Sequence, residues 1–166
     1  KSISGIRGTI GGCEDENLTP LDIVKFAAGF GSWIIDNNQP KKIVLGRDAR
    51  ISGPMVQSLI VGTLQGLGID VVDLGLSTTP TVEMAVVWEK AGGGIIITAS
   101  HNPKQWNALK LLNNKGEFIS GKDGKDVLRL AESTDIEFAS VEKLGKYIEK
   151  DIYLEKHVEA ILNLPY

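Results

Sequence analysis

Apolar residues along the chain fall into two kinds of run: stretches in which they recur every three or four positions, and short stretches apolar on both sides. The first kind opens at Thr19. This residue can cap a helix, Pro20 suits the first helical position, and Asp22 completes a capping-box-like pattern. Leu21, Val24, Ala28 and Ile35 then fall near one face, which predicts a helix over 19–35. Lys42 to Leu45 predicts a strand, and a helix opened by Gly53-Pro54 runs to about Leu67, where Gly66 and Gly68 end it. Ile69 to Leu74 predicts a second strand, Thr79-Pro80 opens a helix that runs to about Lys90, and Ile95 to Ile97 forms the most apolar strand.

Strands apolar on both sides, alternating with helices, predict an α/β fold: a three-layer α/β/α arrangement around a mainly parallel sheet. Right-handed crossovers place the loops that follow these strands along one edge, the carboxyl edge, where such folds bind ligands. That edge receives Gly46-Arg47-Asp48-Ala49-Arg50, Gly75-Leu76-Ser77-Thr78-Thr79 and Thr98-Ala99-Ser100-His101-Asn102-Pro103. Beyond Pro103, Ala108 to Leu112 and Glu117 to Ile119 flank Asn113-Asn114-Lys115-Gly116 and predict a hairpin, so the sheet is mixed. Lys122 to Glu132 predicts a closing helix, Ser133 to Ser140 is polar and aperiodic, and Glu149 to Leu162 predicts one more helix. The division this suggests is a domain over 1–133, a linker over 134–148 and the start of a second domain over 149–166.

Composition narrows the function classes. In 166 residues, 18 Lys and Arg stand against 21 Asp and Glu, a net charge of −3, with 42% hydrophobic and 23% charged residues. That is room for one domain with a core, and it excludes a disordered or collagen-like chain. No broad cationic field is available for nucleic acid or an anionic membrane, so neither partner is expected and phosphate recognition must be local. There is no apolar run of spanning length, and the N-terminal Lys1 to Gly8 lacks a signal-peptide layout. Cys13 is alone, which fits a reduced, cytoplasmic setting and predicts a buried or inert thiol.

Gly116 to Lys122 has the spacing of a Walker loop, but Asp123 stands where a Ser or Thr should hold magnesium, so the hairpin is preferred. Gly29-Phe30-Gly31 lies within a helix and Gly92 to Gly94 precedes a strand; both are read as packing or turn glycines. Ser100 ends a buried strand beside His101, with Pro103 fixing the backbone beyond Asn102. Without Gly-x-Ser-x-Gly a hydrolase elbow is disfavoured. Two readings remain for this loop: a hydroxyl presented beside a proton-moving imidazole, or a capped turn in which Ser100 and Asn102 satisfy backbone groups. The glycines of Ser2 to Gly8 allow amides to converge on an anion beside Arg7. Arg47 and Arg50 could serve the same ligand, and an Arg47–Asp48 ion pair bracing the loop is the preferred alternative. Lys110, on the next strand, could approach the same edge, while His157 is read as ordinary surface.

Three of these blocks resemble the α-D-phosphohexomutases, the family of phosphoglucomutase, phosphomannomutase and phosphoglucosamine mutase. Ser4-Gly5-Ile6-Arg7-Gly8 looks like the N-terminal substrate loop, Gly46 to Arg50 like the second signature, and Thr98 to Pro103 like the phosphoserine loop. The resemblance covers residues 1 to about 133, as the family's first domain, and the tail from about 149 resembles the start of the second. It implies Ser100 as the phosphorylated serine, His101 as general acid or base, Lys110 as the catalytic-loop lysine, and Arg7 as a substrate-binding residue. The implied reaction interconverts hexose 1-phosphate and hexose 6-phosphate through a bisphosphorylated sugar. Mg2+ would take one ligand from the Ser100 phosphate and the others outside this chain, and a glucose 1,6-bisphosphate-type activator is implied. Trp106-Asn107-Ala108-Leu109-Lys110 departs from the family's aromatic-Asn-Gly-x-Lys, which raises the question of backbone geometry before Lys110. No Asp-Gly-Asp-x-Asp run is present, so the chain alone is expected to be inactive without the remaining domains of its parent. The choice among glucose, mannose and glucosamine phosphate is not legible, though the N-terminal opening looks more like the bacterial phosphoglucosamine or phosphomannose branch. A non-catalytic sugar-phosphate binding module is the competing reading.

Overall fold

In a computed structural model, residues 6–14 and 16–165 are described. The elements are β1 (Ile6–Thr9), α1 (Pro20–Asp36), β2 (Lys42–Arg47), α2 (Gly53–Gly66), β3 (Asp70–Leu76) and α3 (Thr79–Trp88). They continue with β4 (Gly93–Ile97), β5 (Trp106–Leu112), α4 (Gly121–Ala131), a 3-10 turn at Val141–Lys143, β6 (Tyr147–Glu149) and α5 (Tyr153–Leu162). The six strands form one mixed sheet in the order β1-β5-β4-β2-β3-β6. Pairings among β4, β2, β3 and β6 are parallel, and β5 runs antiparallel to both β4 and β1.

Winding reverses at β2: the chain crosses to β3 on one side of it and to β4 on the other. Crossovers of one hand made in opposite directions must lie on opposite faces of the sheet. The core divides accordingly. Ile43, Leu45, Ile95, Ile97, Leu109 and Leu111 pack under α1, α2 and α4, whereas Val44, Val72, Ile96 and Leu112 pack under α3. Alternate residues of each strand serve different layers, which is why these strands read as apolar on both sides.

Helix starts follow the capping chemistry in the sequence. Thr19 and Asp22 complete a capping box on α1, and Ser120 and Asp123 do the same for α4. Asp123, the residue that spoils the Walker pattern, is therefore a helix-starting residue. Gly29 has a packing role: a Cβ there would lie 2.7 Å from the Val127 carbonyl oxygen, so its absence lets α1 approach α4.

Several expectations change. Ile6 to Thr9 is an edge strand paired with β5, whereas Ser2 to Gly5 of the predicted anion loop lie outside the described residues. The hairpin keeps its turn, with Gly116 at φ +75°, but its second arm is reduced to a Leu112–Phe118 bridge. Of the buried-or-inert alternatives for Cys13, burial is excluded, since the residue is exposed.

Residues 134–148 also hold structure that polar composition did not reveal. The Ala139 N–H donates to the Gly66 carbonyl, the Gly145 N–H to the Gln65 carbonyl, and β6 adds to the edge of β3. α5 then lays Tyr153 on Trp88, ring centroids 5.9 Å apart, while Glu89 accepts from Lys42, Lys150 and Tyr153. His157 is not ordinary surface, because its Nδ1 lies 2.9 Å from the Thr81 hydroxyl. No helix among the described residues is long and apolar enough to cross a membrane.

Candidate functional site

The carboxyl ends of β2 and β4 are neighbours, so the loops that leave them, 48–52 and 98–105, lie side by side. The Asp48 N–H donates to the Ile97 carbonyl, which ties the start of one loop to the end of the other strand. On the far side of β4 the chain returns as β5, with the Thr98 N–H donating to the Ala108 carbonyl.

Ser100 sits at the apex of this return. It is exposed and has φ +54°, a left-handed conformation that non-glycine residues adopt at a cost of about 1–2 kcal/mol. The Thr98 hydroxyl accepts from its backbone N–H at 3.0 Å, and the Asn102 N–H donates to the Ala99 carbonyl. Side-chain and backbone bonds therefore hold the turn. Thr98 and Ala99, rather than the side chains of Ser100 and Asn102, accept the turn's backbone N–H groups, and the Ser100 side chain stays exposed. His101 is exposed next to it.

The largest contribution to the loop's shape comes from Arg50. Its Nη2 donates to the carbonyls of Ser100 and Asn102, both at 2.8 Å, and its Nη1 to those of Pro103 at 2.9 Å and Trp106 at 3.0 Å. The fifth N–H, on Nε, donates to the Asp48 carboxylate at 3.1 Å, and the other oxygen of that carboxylate accepts the Arg50 backbone N–H. The ion pair that braces this loop is thus Asp48–Arg50, not Arg47–Asp48. Arg47 instead turns toward α2, its Nε donating to Gln57 at 2.6 Å. Gln57 and Tyr147 both donate to the carboxylate of Asp73, a residue only 3% exposed. Burial, followed by the facing carboxylates of Asp73 and Glu149, pushes the Tyr147 hydroxyl well above the usual phenol range.

Arg7, on edge strand β1, is brought to the same loop: its Nη1 lies 3.4 Å from the Asn102 side-chain oxygen. Lys110 is placed differently. It pairs in register with Ile96, two positions before Thr98, and its ammonium lies over the Phe118 ring, 5.9 Å from the centroid. Ala108 resolves the question of backbone geometry before Lys110. It is buried within a regular stretch of β5, opposite Arg7, and has no positive φ. Sequence reasoning missed Asn107, which is fully buried and donates to the Ser52 hydroxyl at 2.9 Å, linking β5 to the start of α2. Its side-chain oxygen also accepts from the Ala108 N–H. A buried amide flanked by apolar positions was the available signal.

Residues 2–137 match the family model described as phosphoglucomutase/phosphomannomutase, alpha/beta/alpha domain I. The chain belongs to this family. A phosphoglucomutase/phosphomannomutase of Thermococcus kodakarensis is 34% identical over 159 residues, covering 94% of the chain and 35% of the relative. A phosphomannomutase of Escherichia coli is 34% identical over 163 residues, covering 96% and 34%. The crystal structure of a phosphoglucomutase/phosphomannomutase family protein from Burkholderia thailandensis superposes with a TM-score of 0.79 at 25% identity, covering 96% of this chain and 34% of that one. The chain therefore spans about a third of the length of the family members it matches.

As a phosphohexomutase domain I, the chain presents a serine, an imidazole and an arginine at one sheet edge. Among the described residues no group of three or more His, Cys, Asp or Glu is placed to hold an ion.

Proposed function

We propose that the parent of this chain is a phosphohexomutase that interconverts hexose 1-phosphate and hexose 6-phosphate, with the phosphoryl group carried on Ser100. One observation carries the reading beyond family membership: Ser100 is exposed, held at φ +54°, on a loop whose backbone is bonded from beneath. Strained conformations of this kind persist where surrounding structure over-determines them.

In the forward half-reaction the phosphorus–Oγ bond of phospho-Ser100 breaks as a sugar hydroxyl oxygen bonds to phosphorus. The hydroxyl proton passes to a base and a proton is returned to the departing Ser100 Oγ, an acid–base role assigned to His101, so that the products are a hexose bisphosphate and a free serine hydroxyl. That bisphosphate turns over in the site, and its other phosphoryl group returns to Ser100, leaving the isomerised monophosphate. A free hexose 1,6-bisphosphate serves as activator by loading an unphosphorylated Ser100. Charge spread over the oxygens of the group in flight is met by Arg7 and by Lys110 once its ammonium leaves Phe118. Magnesium would supply further charge neutralisation, and the phosphate on Ser100 is the ligand this chain would offer it. The stretch from 149 leads into the second domain of the parent, and turnover requires that domain and those after it.

The test uses the purified full-length parent. After incubation with glucose 1,6-bisphosphate, peptide mass spectrometry is expected to find a phosphate on Ser100. Ser100→Ala should remove both the adduct and at least about three orders of magnitude of mutase activity. Near-normal turnover by Ser100→Ala overturns the assignment. Tight binding of a hexose phosphate by the isolated chain, with no phosphate uptake by the parent, supports a binding module instead.

A further inference from the structure

Arginine has five N–H donors and no acceptor. In Arg50 all five are used inside the protein, four on the Ser100, Asn102, Pro103 and Trp106 carbonyls and one on Asp48. No donor is left for a ligand, so this residue does not bind substrate phosphate. We propose that Arg50, with Asp48 as its counter-charge, is a positioning residue that holds the 98–106 backbone so that Ser100 and the loop's outward amides are preset for a phosphoryl group. The proposal rests on the phosphoserine reading above.

The argument is geometric. No described peptide bond is cis, and in a trans peptide the carbonyl and the next residue's N–H point in opposite directions. Turning the Ser100 and Pro103 carbonyls inward to the guanidinium therefore turns the His101 and Lys104 N–H groups outward. Neither amide has a hydrogen-bond acceptor among the described residues. Outward-facing amides on the loop that carries Ser100 are donors available to an anion. The Arg50 side chain is 12% exposed, and the Asp48 carboxylate neutralises a cation that is costly to desolvate.

Lysine is not a substitute, because a single ammonium with three donors cannot reach four carbonyls set around a planar fork. A catalytic group displaced by about 1 Å loses about a hundredfold in rate. In the full-length parent, Arg50→Lys is expected to lower kcat by about that factor while KM for the hexose phosphate moves less than about threefold. Hydrogen exchange at amides 99–106 should accelerate at least about tenfold in the same variant, with α1 amides unchanged. Asp48→Asn, which keeps the carbonyl bonds and removes the counter-charge, should shift both readouts in the same direction by less, and it serves if Arg50→Lys does not fold. A raised KM with unchanged kcat would show that Arg50 contacts substrate and overturns the proposal. Unchanged kcat and unchanged loop exchange overturn it as well. If the unsubstituted parent has no mutase activity, the phosphoserine reading fails, and the exchange measurement still decides whether Arg50 orders the loop.

Discussion

At Ser100 the backbone and the side chain make opposite demands. A left-handed φ of +54° is easiest for glycine, yet the position carries a hydroxyl. This conflict predicts a stability order. Ser100→Gly should melt no lower than the unsubstituted chain, since the relieved penalty of about 1–2 kcal/mol offsets the extra unfolded-state freedom of glycine. Ser100→Val should melt several degrees lower, because a branched Cβ tolerates positive φ worst. Thermal denaturation of the isolated chain measures both, and Val melting above Gly would contradict the left-handed assignment. The placement of Ser100 and His101 on a loop at the carboxyl edge was legible from the alternation of strands and helices alone. Their partners were not. Asp48 has arginines at 47 and 50, and nothing in the local sequence says that Arg50 would reach 50 residues ahead to four carbonyls while Arg47 turned to Gln57.

Among elements, those with a local start signal were recoverable: Thr19 for α1, and Pro54 and Pro80 for α2 and α3. Elements that depend on a distant partner were not. β1 is four residues long and β6 three, too short for a period, and each exists because a sheet edge was available to pair with. α5 is attached to α3 through Glu89, whose carboxylate bonds Lys42, Lys150 and Tyr153. Burial pushes that carboxyl up, but the Lys150, Tyr153 and Lys42 partners outweigh it and hold it below its ordinary value. A depressed folded value means that the unfolded chain binds the proton more tightly. The stabilisation is therefore present above the ordinary glutamate range near pH 4.3 and is lost as pH falls through and below it. In a variant retaining Trp88 as its one tryptophan, emission should report α5 release on acidification. Glu89→Gln should show released-like emission at neutral pH and a flattened profile; an unchanged profile would show that Glu89 is not the latch.

For the whole molecule, the open matter is where the folded unit ends. Composition suggests a boundary near 133, yet Ala139 and Gly145 bond α2, Lys150 bonds Asp73, and Tyr153 is 4% exposed. A chain stopped at Ser133 would also leave Asp73 without Tyr147. It should melt at least about 5 °C below a chain stopped at Leu162, given about 2–4 °C per kcal/mol for a unit of this size. Equal melting would show that 134–162 adds nothing to the first domain. What the sequence determined by itself was the α/β class, the helix starts and the set of reactive residues on the carboxyl edge, because period, capping and crossover hand are local or nearly universal rules. What only the tertiary structure decided was which charges meet, which polar stretches become edge strands, and how the Ser100 loop is held. Those outcomes depend on contacts between residues tens of positions apart, and a guanidinium with five donors has many sequence-compatible partners but one arrangement in space that satisfies them all.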